Sequence, residues 1–449
     1  MSSAGYEADE HRVRVPRATA AIGAILLGIA VSGKAALAAG ASKVDTGDTA
    51  WVLASSALVM IMTPGLGLFY AGMVRRKNAL GTILQSFVMV GLAGVLWVVY
   101  GYSLAFGPDV GHFIGSLDWV GLRGVGLEPF DGYSATIPHQ AFMIFQAMFA
   151  IITPALITGA FAERMRFKAF LVFMIVWFTI VYCPVAHWVW GIDGWLRNLG
   201  ALDFAGGTVV HICSGISALC AAIVLGHRKG YGREEFKPHN LTMTLIGTAL
   251  LWFGWFGFNA GSALGANGLA ASAFVVTNTA AATAAMSWLL IEWFHRGKPT
   301  ALGAASGAVA GLVAITPASG FVGPMAAIAI GALVSLFCYG AIMLKGKLGY
   351  DDSLDVFGVH GVGGTWGAIA TGLFASVAIN SAGANGLFHG NAALLGKQLI
   401  AVAVVMAYSF VLTFVILKVI GALMPLRLEK EDEETGLDLS QHGEVGYSL

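Results

Sequence analysis

Two histidines stand where a histidine needs a reason. His211 lies in DFAGGTVVHICSG, residues 203–215, and His360 in DVFGVHGVGG, residues 355–364, both otherwise apolar. Imidazole accepts and releases a proton near neutral pH, and its nitrogens also bind metals. Placing such a ring in a membrane interior costs several kcal/mol on most scales, so it points to a function unless packing or a backbone carbonyl satisfies it. The metal use lacks supporting ligands. There is no HExxH, no histidine pair at i and i+4, and no cysteine or carboxylate three or four residues from either histidine. No GxSxG, phosphate-binding loop or strand-to-helix GxGxxG occurs either, so the sequence gives enzyme catalysis no foothold, and no cofactor or metal is expected.

The elements that must hold these rings are membrane helices. The chain is 57% hydrophobic and 11% charged, with mean hydropathy +0.76, which excludes an ordinary water-soluble globule of 449 residues. Its formal charge is zero, so nucleic acid is not an expected partner; the lipid bilayer is. Small residues let membrane helices approach closely, and Gly303, Gly307 and Gly311 recur at four-residue spacing, predicting a tightly packed face. Cys183, Cys213, Cys220 and Cys338 fall in apolar runs without CxxC spacing and read as small buried hydrophobes.

Residues 1–39 read as a cleaved signal peptide. Arg12, Arg14 and Arg17 precede an apolar run from Ala18 to Gly33, followed by KAALAAGAS, so a mature start between Ala39 and Lys43 is expected. Eleven apolar stretches follow, beginning near Trp51, Ile83, Pro138, Ala169, Gly206, Asn240, Ala271, Thr300, Val322, Val356 and Leu399. Alternate loops carry the positive charge: Arg75, Arg76 and Lys77, then Arg164, Arg166 and Lys168, then Arg228, Lys229, Arg233 and Lys237. Arg296, Lys298, Lys345, Lys347, Arg427 and Lys430 continue the set, whereas the opposite loops offer Arg123, Arg197 and Lys397. The positive-inside rule then places the N-terminus outside and the C-terminus in the cytoplasm.

Two features recur five spans apart. FYAG, residues 69–72, closes the first span and FNAG, residues 258–261, the sixth; VHICSG and VHGVGG occupy the fifth and tenth. Five helices per unit invert a duplicated half in the membrane, so the expected fold is an all-α polytopic membrane protein of eleven transmembrane helices, a five-plus-five inverted repeat with one extra helix. In it His211 and His360 come from oppositely directed helices and can face each other. His211 lies eight residues beyond Asp203, about 12 Å along a helix, and His360 lies five beyond Asp355, well inside a ~30 Å core. Asp203 and Asp355 read first as helix-start caps, structural residues near the site.

DFAGGTVVHICSGISALCAAIVLG resembles the signature of the ammonium transporter family, the Amt branch of the Amt/Rh superfamily. GLFYAGMVRRKNAL, FQAMFAIITPALITGAFAERMRF, WFGWFGFNAGSALGANG and DDSLDVFGVHGVGG resemble it as well, and the likeness runs from about Thr49 to the C-terminus. It implies a homotrimer of eleven-helix protomers, each with its own pore, moving ammonium/ammonia, with methylammonium as an analogue. It assigns the outer substrate site to Trp190, Phe149 and Ser262, a gate to Phe149 and Phe258, and the pore and proton relay to His211 and His360. Asp203 organises the outer site indirectly in the family. VWGIDGWLRNLGALDF is one residue longer than the commonest bacterial spacing, so Trp188 is the alternative register for Trp190 and Trp195 a third. Without the resemblance, Trp190 reads as an interfacial belt residue and Phe149 as core.

The resulting division is a transmembrane domain over 49–424 and a cytoplasmic tail over 425–449. By composition the tail is solvated; by resemblance it is a regulatory segment that packs under the trimer and responds to a PII signalling protein. The expected function is ammonium uptake across the prokaryotic plasma (inner) membrane, serving nitrogen uptake. The competing readings are an ammonium sensor with little transport, which the short tail disfavours, and a membrane metalloenzyme, which the missing ligands disfavour.

Overall fold

The computed structural model describes residues 43–447; the signal-peptide expectation falls outside them. Long apolar helices dominate. They are α1 (Thr46–Met73), α2 (Arg76–Phe106), α3 (His139–Phe161), α4 (Phe167–Leu199, turning after Trp190), α5 (Gly207–Leu225), α6 (Leu241–Ala263) and α7 (Gly268–Arg296). After the shorter α8 (Ala301–Ile315) come α9 (Pro324–Leu348), α10 (Phe357–Gly361 continuing into Val362–Phe374) and α11 (Ala392–Leu423). Among the described residues, nine of these are long and apolar enough to cross a membrane, α8 and α10 being the shorter two. Each expected span begins close to one of these helices.

Within the bundle, small residues set the contacts. A Cβ on Gly303, Gly307 or Gly311 of α8 would meet Glu292, Trp288 or the Ala280 carbonyl of α7 at under 3 Å, so the expected glycine face exists and packs on α7. Around it the core is aromatic and aliphatic, with Trp97, Trp177 and Trp255 fully buried. The four cysteines are buried and unpaired.

Two features lay outside the sequence reading. The segment between α2 and α3 forms two small antiparallel hairpins, β1 (Asp109–Val110) with β2 (Ile114–Gly115), and β3 (Pro129–Phe130) with β4 (Ser134–Pro138). The acidic tail is not simply solvated. It forms α12 (Lys430–Thr435) and α13 (Leu437–His442), with Glu433, Leu437 and Asp438 buried. Arg427 holds Glu433 at 2.8 Å, and Asp438 accepts the N–H groups of Leu80 and Gly81 at the start of α2.

Candidate functional site

Both histidines stand in π-helical stretches, His211 in Gly207–Ile212 and His360 in Phe357–Gly361. Such widened turns favour functional sites because they re-aim side chains. Each stretch starts after a residue with positive φ, Gly206 at +115° and Asp355 at +60°, five residues before its histidine. The two helices then meet backbone to backbone. A Cβ on Gly215 would lie 2.1 Å from the Gly361 nitrogen, and one on Gly364 would lie 2.9 Å from the His211 Cβ, so only glycine permits this approach. The imidazoles end with Nδ1 facing Nδ1 at 3.2 Å, His211 1% and His360 4% exposed.

Asp203 makes the α5 start possible. Its Oδ1 accepts the N–H groups of Gly206 and Gly207 at 2.7 Å; its Oδ2 accepts those of Thr208 at 2.8 Å and Val209 at 3.3 Å, plus the Thr208 hydroxyl. That is a helix cap using both oxygens. Asp355 departs from the expected symmetry. The carboxylate that caps α10 is Asp352, which accepts the Phe357 N–H at 2.8 Å, whereas Asp355 pairs with Lys345 at 2.5 Å. The sequence held the clue: Asp352 precedes His360 by eight residues, as Asp203 precedes His211. Asp355 takes the place of Gly206, and aspartate tolerates that left-handed conformation better than most residues.

Three cavities follow one another through touching or shared lining residues. The first, about 200 Å³, is lined by Phe149, Trp190 and Ser262 together with Gln146, Tyr133 and Phe204. Trp190 donates its indole N–H to the Asp203 carbonyl at 2.9 Å, tying it to the cap segment, and Phe149 meets it edge-on with centroids 5.6 Å apart. Ser262 donates to the Phe258 carbonyl at 2.9 Å, so its lone pairs stay free to accept a hydrogen bond from a ligand. Trp188 lies elsewhere, bonded to the Phe113 carbonyl and packed on Tyr408, and Trp195 packs on Trp188. Of the three tryptophans in question, the cavity therefore receives Trp190.

Beside this cavity Phe149 and Phe258 pack together, centroids 4.5 Å apart and residues 1% and 0% exposed. Beyond them lies a void of about 10 Å³, lined by Phe258, Trp255, His211 and His360 and roomy enough for about one small molecule. Trp255 lies nearly parallel to His211 at 5.4 Å. The third cavity, about 50 Å³, shares Phe69, Val309 and His360 with the second and reaches Ser306 and Asp355.

Gln146 and Trp255 escaped the sequence reading. Gln146 carries a buried, unpartnered Oε1 beside the first cavity, and its signal was a lone amide three residues before Phe149, hence on the same face of α3. Trp255 was hidden among the aromatics of WFGWFGF. Among the described residues no cluster of three or more histidine, cysteine, aspartate or glutamate side chains is arranged to hold a metal.

At the other end of the bundle, Glu163 is buried between Arg75, at 2.9 Å, and Arg228, at 3.4 Å, and Arg228 also grips Asp351 at 2.8 Å. Burial alone would raise the Glu163 carboxyl, but the two guanidiniums and the hydrogen bonds from Arg75 hold it below the usual range. At Asp352 burial outweighs Lys345 and the backbone N–H groups that face it, and pushes the carboxyl up to about 6.

The model of the Ammonium Transporter Family matches residues 50–447. The ammonium transporter of Bacillus subtilis (strain 168) is 56% identical over 402 residues, covering 89% of this chain and 98% of its own. The crystal structure of Candida albicans Mep2 superposes with TM-score 0.82 at 39% identity, over 86% of this chain and 87% of that one. A chain described as a Sensor Amt Protein superposes with TM-score 0.81 at 30% identity, over 88% of this chain and 98% of its own. With a family match over nearly all the described residues and a relative more than half identical, this multi-pass membrane protein belongs to the ammonium transporter family.

Proposed function

We propose that this chain transports ammonium/ammonia through a pore within each protomer, recruiting the cation at Trp190, Phe149 and Ser262. As it passes Phe149 and Phe258 the cation hands its proton to the pair His211 and His360, and the neutral molecule continues past them. The observation that carries this reading is the succession of three cavities lined by those side chains. An aromatic face attracts a cation and a hydroxyl accepts its hydrogen bond, so the first cavity suits ammonium. Two packed phenylalanines make passage of a hydrated ion costly, whereas ammonia loses far less on desolvation. Potassium has no proton to leave behind.

The facing Nδ1 atoms give the proton a path. One ring donates to the other across 3.2 Å, which leaves a lone pair on one Nε2 and a hydrogen on the other. A proton taken up at the free Nε2 moves across the Nδ1 pair and leaves from the far Nε2, so the two rings titrate as a unit. Asp203 and Asp355 serve shape rather than contact.

In the same reading all eleven helices span the inner (plasma) membrane of a prokaryote, related as a five-plus-five inverted repeat, with the Trp190 end outside and the arginine-rich end in the cytoplasm. The protein is a homotrimer, residues 1–39 are removed, and the tail of 425–449 is a control segment for a PII signalling protein. The sensor reading has one observation of its own, the Sensor Amt Protein likeness. Currents from purified protein in solid-supported membranes separate the two. A transporter gives a saturable current on an ammonium jump and none on a potassium jump; no ammonium current at full protein loading overturns transport and favours the sensor.

A further inference from the structure

Another histidine, fully buried at the same end of α4 as Trp190, is not used by the transport path. His187 lies three residues before Trp190 and is 0% exposed. Its Nδ1 is 3.0 Å from the carbonyl oxygen of Ala105, near the end of α2, and its Nε2 is 2.8 Å from Oδ1 of Asp109 on β1. The ring is thus clamped between a helix end and a hairpin, with a carbonyl oxygen at one nitrogen and the Asp109 carboxylate at the other.

The other titratable or charged groups here come from each element packed around this end of α4. The hairpin adds His112, whose N–H donates to Asp109 Oδ2 at 2.9 Å and whose Nδ1 is 3.3 Å from that oxygen. The turn after Trp190 adds Asp193, whose carbonyl is 2.8 Å from His112 Nδ1, and Arg197, which donates to the Trp190 carbonyl at 2.8 Å. Tyr133 accepts the Ile192 N–H at 3.2 Å, and Tyr408 of α11 packs on Trp188. Among the described residues, Asp109 is the charged group hydrogen-bonded to the imidazole.

The clamp bears directly on the recruitment residue. Gly191 donates its N–H to the His187 carbonyl at 2.9 Å, and a Cβ on Gly191 would lie 2.5 Å from His187 Nδ1. The turn that ends the helix at Trp190 therefore rests on the ring. We infer that His187 and Asp109 form a positioning pair that holds Trp190 in place for ammonium capture, so that capture weakens when the pair is broken. Loss of either partner removes the 2.8 Å link between the hairpin and α4 beside the Gly191 turn. The inference rests on Trp190 belonging to the outer site.

Replacing Asp109 separates this from simple packing. Asp109→Ala removes the partner of His187 Nε2, whereas an Asp109→Asn amide can still hydrogen-bond to that nitrogen. The experiment measures half-saturation and maximum of the ammonium-evoked current in proteoliposomes at one fixed pH. Asp109→Ala should weaken half-saturation by about fivefold, the size of one lost cation–π contact, with the maximum little changed. Asp109→Asn should restore most of the capture, and adding Asp109→Ala to Trp190→Leu should weaken capture no further. An Asp109→Ala protein that captures ammonium as wild type does, with Trp190→Leu weakened, overturns the pair and leaves the outer site standing; a Trp190→Leu protein that captures as wild type does overturns the outer site itself. If Asp109→Ala does not fold, His187→Leu takes its place, and capture equal to wild type there refutes the pair.

Discussion

Replacing Asp203→Asn is almost isosteric, yet the cap geometry makes it costly. Each carboxylate oxygen accepts two backbone N–H groups, Gly206 and Gly207 on one, Thr208 and Val209 on the other. Asparagine keeps one accepting oxygen and turns an amide N–H toward the other pair. Two helix-start N–H groups are then unmet, and at roughly 1–3 kcal/mol for each the cost is about 2–6 kcal/mol. Asp203→Ala removes both oxygens and costs more. Because Trp190 is bonded to the Asp203 carbonyl, ammonium capture should fall along with stability. The assay pairs thermal unfolding of the detergent-solubilised protein with half-saturation of the ammonium-evoked current. Both variants should melt lower than wild type, alanine lowest. Should Asp203→Ala melt as wild type does while capture collapses, the carboxylate is a direct ligand for the cation and the cap argument is wrong.

Further expectations follow from neighbouring contacts. Trp190→Leu should weaken capture by about fivefold, for a cation–π contact of ~1 kcal/mol, with the maximum current little changed. Trp188→Leu should leave capture intact; the reverse pattern would contradict the cavity assignment. Glu163→Gln should be destabilising at neutral pH, since a carboxyl held below its usual range contributes stability above its unfolded pKa and loses that contribution as pH falls through the folded value. The difference in melting temperature from wild type should therefore hold from pH 7 to about 4.3 and shrink below it, and a penalty that grows with acid would refute the ion-pair account. Asp438→Ala removes the acceptor for two N–H groups at the start of α2, so the tail should be cut faster by added protease; an unchanged rate would mean that α12 and α13 hold the tail without it.

Much of this was legible because membrane helices announce themselves. The apolar runs marked where the long helices begin, and Gly303, Gly307 and Gly311 marked a packed face, since both signals depend on local composition. The pairing of His211 with His360 followed from a recurring motif, which carries long-range information within one sequence. What stayed hidden depends on tertiary contact. The π-helical turns at both histidines follow from the backbone approach at Gly215 and Gly361, which no local pattern specifies. Asp355 looked like the counterpart of Asp203 because it is the nearer acid, but spacing from the histidine, not proximity, selects Asp352. The hairpins between α2 and α3 have strands of two to five residues, too short for an alternating pattern. His187 passed as one more residue of an apolar run until Asp109, far away in sequence, came within hydrogen-bond reach.

The central claim is that His211 and His360 take the proton from ammonium inside a dry pore. Replacing both with leucine removes two polar groups that satisfy each other, a change that is often nearly neutral for stability, so the fold should survive. His211→Asp instead puts a carboxylate in the void, which draws in water and lets hydrated cations follow. The decisive measurement is ammonium- and potassium-evoked current for wild type, His211→Leu with His360→Leu, and His211→Asp in the same solid-supported membranes. The account predicts ammonium-selective current in wild type, none in the double leucine variant and a potassium leak in His211→Asp; undiminished, ammonium-selective current in the double leucine variant would contradict it and return both histidines to packing.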